Sequence, residues 1–191
     1  MRRVLAPVAL ALLPVAMFAH DGHSHGGLSA GLAHPWSGVD HLLAMIAVGL
    51  LAVRIGGKGL WLIPLSFVVP MALGGVLGLS GVALPGAEFG ILASLMVFGL
   101  MTAWKQAPTA WIAAATVAPF ALCHGFAHGA ELPANAGGAA YVAGFLLATC
   151  ALHALGLGTG LVAAKAHRDG LIRIAGAAVA LASVLVGANL I

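Results

Sequence analysis

The sequence predicts an all-α integral membrane protein with six transmembrane helices after an N-terminal signal peptide. Of 191 residues, 62% are apolar and 7% charged, with a mean hydropathy of +1.09, far from the roughly 25% charged residues of an ordinary soluble domain. The apolar residues fall into six later runs bounded by Gly, Pro or charge. Apart from Arg2 and Arg3, every Lys and Arg lies in three short gaps between those runs.

The first element runs from Met1 to Ala19. Arg2 and Arg3 precede an apolar run from Val4 to Phe18, and the small residue Ala19 stands before an abrupt polar switch. That is the shape of a secretory signal peptide cleaved near Ala19. The run is short for a span of about 20 residues, and Pro7 and Pro14 weaken it as a helix. Residues 20–33 read as a His-rich extracytoplasmic tail, in which His20, His23 and His25 sit in a Gly/Ser context. Such a tail gathers metal loosely or serves as a solvated spacer.

The membrane domain, residues 34–191, holds the six runs: Pro35–Val53, Leu60–Leu79, Ala87–Trp104, Ala110–His128, Gly138–Ala163 and Leu171–Leu190. At 1.5 Å per residue, runs of this length are expected to cross a core of about 30 Å. The gaps Arg54–Lys58, Lys105–Pro108 and Lys165–Arg173 hold all the later basic residues, whereas Ser80–Gly86 and Gly129–Gly137 hold none. The positive-inside rule and the signal peptide therefore select the same topology, N-out and C-out, in the cell inner membrane. The formal charge of +3 is spread singly or in pairs, so it marks orientation and no nucleic-acid partner. Cys123 and Cys150 form no CxxC and support no disulfide framework.

This orientation gathers the rare polar residues at the outer side. Pro35 suits the first position of a helix, which makes His34 the expected cap. On one continuous helix His34 and His41 would share a face, with Asp40 about a quarter turn aside. Glu88 opens the third run. His124 and His128 lie one turn apart at the outer end of the fourth, and Glu131 joins them if that helix persists past Gly129. Imidazoles and carboxylates are ligands for borderline divalent cations. A buried carboxylate with no basic partner on its side is costly unless a cation or proton accompanies it, which singles out Asp40. By contrast, His153, alone and deep in the fifth run, reads as a hydrogen-bonded packing residue, and His167 as a loop histidine. Gly74–Gly78 and Gly156–Gly160 have the GxxxG spacing of close helix packing.

HPWSGVDHLLAMIAVGLLA, followed by ALCHGFAHGAE in six spans after a signal peptide, resembles the HupE/UreJ family of secondary permeases associated with nickel supply to hydrogenase and urease. By that resemblance, His34, Asp40 and His41 match the first family motif, and His124, His128 and Glu131 the second. Glu88 is similar to the family's acidic residue in the third helix, and Phe67 to an aromatic in the second. Cys123 departs from the family pattern, standing where a Phe precedes the first histidine of the second motif. A thiol there is a candidate soft ligand.

These readings converge on a non-enzymatic secondary transporter that imports a divalent transition metal. Ligand chemistry allows Ni²⁺, Co²⁺ or Zn²⁺, and the resemblance selects nickel. No prosthetic cofactor is expected; the partners are the metal ion as substrate and the lipid bilayer, with a homo-oligomer left open. The sequence has no GxxxxGK[ST] loop for nucleotide phosphates. Two alternatives stay open: an intramembrane zinc-dependent hydrolase built on His41, His124, His128 and Asp40, and an accessory metal-binding membrane subunit.

Overall fold

Long apolar runs, with Gly at the points of closest approach, become a helical bundle in the computed structural model, which describes residues 27–132 and 138–190. The helices are α1 (Leu28–Ala33), α2 (Val39–Ile55), α3 (Gly59–Leu79), α4 (Ala87–Ala103), α5 (Ala110–Ala130), α6 (Gly138–Lys165) and α7 (Asp169–Gly187). No strand occurs among the described residues. The signal peptide and the histidines of the tail, His20, His23 and His25, lie outside them.

Helices α3, α5, α6 and α7 are each long and apolar enough to cross a membrane, and α1 with α2 forms a bent fifth candidate. At 17 residues each, α2 and α4 reach only about 25 Å, short of the core thickness expected of every run. The protein is thus an all-helical, multi-pass membrane protein with four to five candidate spans among the described residues.

Helix α2 is central. Eight of its residues between Ala44 and Ala52 are buried, and it touches α3, α4, α6 and α7. Elsewhere backbones meet directly. Gly74 and Gly78 of α3 face the Leu122 and Phe126 carbonyls of α5, while Gly125 and Gly129 of α5 face Met71 and Gly75. Gly49 and Gly156 join α2 to α6 in the same way, and Gly160 packs on Val53. Both GxxxG pairs therefore do what their spacing implies: a Cβ at Gly74, Gly78 or Gly156 would collide with the backbone of the facing helix, and one at Gly160 would press on the Val53 side chain. Outward faces stay apolar: Trp61, Leu65, Val69, Leu73 and Val76 form an exposed stripe along α3.

The three basic gaps meet at one end of the bundle. Arg54 Nη2 donates to the carbonyls of Trp104 (3.1 Å) and Lys105 (2.8 Å), and Arg173 Nε donates to that of Ala103 (2.9 Å). These bonds cap carbonyls that the end of α4 leaves free. Trp61, Trp104 and Trp111 are exposed in the segments around this end, as in an interfacial aromatic belt.

The first span differs from the expected single helix beginning at Pro35. Residues Leu28–Ala33, read as tail, are helical, and His34–Trp36 continue as a 3-10 turn. The chain then bends by 86° before α2 starts after Gly38. Pro35 does stand at the start of a helical turn, but its cap is Ala33, not His34. Helix α1 is held sideways by reciprocal glycine contacts, Gly31 on the Tyr141 carbonyl and Gly144 on that of Leu28.

Candidate metal centre

The bend decides where the polar residues lie. Because α2 restarts at Val39, Asp40 and His41 occupy its first turn instead of lying most of two turns inside a helix. There the N-terminal backbone field favours a carboxylate. Asp40 Oδ1 accepts from the His41 backbone N–H at 2.8 Å and from His41 Nδ1–H at 2.9 Å. Among the described residues Asp40 has no Lys or Arg partner, and the groups that donate to it belong to its neighbour His41. It orients His41, as a carboxylate behind a ligating imidazole does. Gly38 makes room for the pair: a Cβ there would fall 2.7 Å from Asp40 Oδ1.

Helix α5 continues to Ala130, with Glu131 as its C-terminal cap, so His124, His128 and Glu131 do belong to one turn-spaced series. His124 is fully buried and His128 nearly so. The rings form a chain: His34 to His128 at 4.6 Å between centroids, His128 to His41 at 4.4 Å, and His41 to His124 at 4.9 Å. His34 Nε2 lies 3.9 Å from Glu131 Oε2. One ligand atom from each of His34, His128 and Glu131 lies within 4.8 Å of the others. Donors at about 2.0–2.2 Å from one tetrahedral ion are about 3.3–3.6 Å apart, so the triad would have to close by about 1 Å to hold it.

Hydrogen bonding assigns the tautomers. Ser94 Oγ donates to the Ile91 carbonyl at 2.6 Å, so at its 2.9 Å contact with His124 Nε2 it must accept the ring proton. His124 Nδ1 then carries the lone pair, just as His41 Nε2 does once Nδ1–H is committed to Asp40. Both nitrogens are buried without a partner, as are both nitrogens of His128. Buried polar atoms are nearly always satisfied, so adjacent imidazoles with bare nitrogens are a candidate cation site.

The chain matches the HupE / UreJ protein family over residues 8–186. The chain belongs to the HupE/UreJ family. Protein HupE of Rhizobium leguminosarum bv. viciae is 44% identical over 187 residues, covering 97% of this chain and 98% of that protein. No solved structure matches it.

In this HupE/UreJ chain the remaining candidates lie outside the row of imidazoles. Glu88 is exposed and shares with Glu131 a cleft of about 480 Å³ lined also by Leu84, Phe89 and Phe126. Phe67, fully buried, lies beneath the cluster with its ring 5.3 Å from His124. Cys123 packs over α4, where a Cβ on Gly90 would sit 2.6 Å from its sulfur. Two participants were missed in sequence. Ser94 fixes the His124 tautomer, and its only signal is an isolated hydroxyl in an apolar run. Tyr141, the sole tyrosine of the chain, packs 5.8 Å from the His34 ring. Below His128 lies a cavity of about 20 Å³ lined by Met71, Gly125, Tyr141 and Phe145, room for about one water-sized particle.

Proposed function

We propose that this HupE/UreJ protein is a secondary permease importing a divalent transition metal, nickel above cobalt or zinc, into the cytoplasm. The observation that carries the proposal is the row of adjacent imidazoles His34, His128, His41 and His124, three of which hold buried nitrogens without a partner. Neutral imidazoles with free lone pairs bind such cations, and Asp40 and Glu131 supply the negative charge that offsets the ion. The cleft with Glu88 and Glu131 acts as an outer vestibule that draws cations toward the rings.

In this reading residues 1–19 are a signal peptide, the tail histidines His20, His23 and His25 raise the local metal concentration, and the membrane domain spans six times. The convergence of Arg54, Lys105 and Arg173 at one end supports a cytoplasmic placement of that end and an N-out, C-out topology. Nickel is chosen because of the family's association with nickel supply, since the ligands alone do not rank these metals.

The test is Ni²⁺ accumulation in sealed liposomes containing the purified protein alone. The wild type should accumulate the ion, and His128→Ala, which removes the ring between His34 and His41, should not. Failure of the wild type to accumulate Ni²⁺, Co²⁺ or Zn²⁺ would sink the permease reading, and lipid or peptide cleavage without accumulation would point to the hydrolase.

A further inference from the structure

His153 of α6 is 3% exposed, and its Nδ1–H donates to the Met45 carbonyl at 2.8 Å. That bond satisfies a packing role completely, and it leaves the lone pair on Nε2, which has no partner. A bare buried acceptor is costly where an asparagine could make the same bond. The position gives the imidazole a use. Met45 is four residues beyond His41 on α2, about 6 Å deeper toward the Arg54 end. The Phe67 ring packs against both levels, 5.3 Å from the His124 ring and 5.0 Å from the His153 ring.

A line of polarisable donors passes beside that ring. Met71 lines the small cavity beneath His128, and its sulfur lies 3.8 Å from Thr149 Oγ1. Thr149 is one turn before His153 on α6, and Met71 one turn after Phe67 on α3, so the two helices face each other as paired ridges. Thioether and imidazole both suit a borderline cation.

We infer that His153 Nε2 is a second metal-binding station on the transport path, one level below the outer histidines and reached past Met71 and Thr149 around Phe67. The inference rests on the permease reading. The ion binds first among the outer rings and is then passed inward to His153, so this residue governs the rate of passage and leaves capture to the outer site.

The discriminating variant is His153→Asn, whose side-chain amide keeps a donor for the Met45 carbonyl while the Nε2 lone pair is lost. Ni²⁺ binding to the purified full-length protein and Ni²⁺ uptake into liposomes are measured together. Binding should stay within about twofold of wild type and KM with it, while maximal uptake should fall by about tenfold or more. Wild-type uptake by the asparagine form would overturn the inference, reducing His153 to a hydrogen-bonded packing residue. Parallel loss of binding and uptake would also overturn it, because His153 would then be part of the outer site or of its scaffold. Absence of uptake by the wild type itself would remove the permease reading, and this inference with it.

Discussion

At the basic end of the bundle, Arg54 and Arg173 present N–H groups to three carbonyls at the end of α4. At the other end, His41, His124 and His128 keep buried nitrogens that no group among the described residues satisfies. Each unmet buried group costs about 1–3 kcal/mol, so the histidine end, with four such nitrogens against Arg54 Nε alone at the basic end, carries the larger stability cost. The contrast separates two uses of polar residues in a membrane. Where partners are supplied by the protein, the residue holds the bundle together and sets its orientation. Where they are withheld beside other lone pairs, the proposed function makes the metal ion the missing partner. His153 is the informative intermediate, with one nitrogen satisfied and one bare.

The sharpest way to break the contrast is at Asp40. In Asp40→Asn the amide oxygen still accepts from His41 Nδ1–H, so the ring keeps its direction while the negative charge disappears. Uptake per folded molecule should fall about 10–100-fold, the usual effect of losing a partner behind a metal-ligating histidine. Folding should survive, because a carboxylate inside the membrane does not earn its place through stability. Asp40→Glu should keep part of the activity. Undiminished transport by the asparagine form would mean that Asp40 serves only as a hydrogen-bond acceptor.

The opposite end should respond in the opposite sense. Arg54→Gln loses the bonds to the Trp104 and Lys105 carbonyls, at a part-exposed position where about 1 kcal/mol of stability is at stake. Melting temperature in detergent should drop by a few degrees, with the KM for Ni²⁺ unchanged. A change in KM with unaltered melting would assign Arg54 to the ion path and erase the division of labour between the ends.

Much of this contrast was legible in the letters. Five of the six runs lie within two or three residues of α3 to α7 at their boundaries because Gly, Pro and charge punctuate them plainly. The basic gaps identified the end where arginines meet the α4 carbonyls. Where reading failed, the cause was contact at long range. The bend at Gly38 depends on α1 lying against α6 through Gly31 and Gly144, which no local period encodes. Asp40 was read as lacking a basic partner, and what the letters did not give is that in the first turn of α2 it accepts both N–H groups of its neighbour His41. Candidate residues were found by type, whereas the tautomers, and with them the direction of each lone pair, depended on Ser94 and the Met45 carbonyl.

The smallest expected effect concerns Cys123, which precedes His124 in the chain and so invites a reading as a soft ligand. Neighbours in a helix point about 100° apart. His124 turns to Ser94 and the His41 ring, whereas the Cys123 sulfur lies over Gly90, one turn away from Ser94 on α4. Gly90 has no side chain to add a donor, and the groups that approach within ligand distance of one another are His34, His128 and Glu131, without this thiol. Cys123→Ser should therefore leave Ni²⁺ uptake within about twofold of wild type, the size of effect expected away from buried networks. The ratio of Ni²⁺ to Co²⁺ uptake should also hold, since exchanging thiol for hydroxyl would shift that ratio only if sulfur touched the ion. A clear shift in the metal ratio would show that the helix brings Cys123 to the ion during transport, and would extend the unsatisfied histidine end from imidazole to thiolate chemistry.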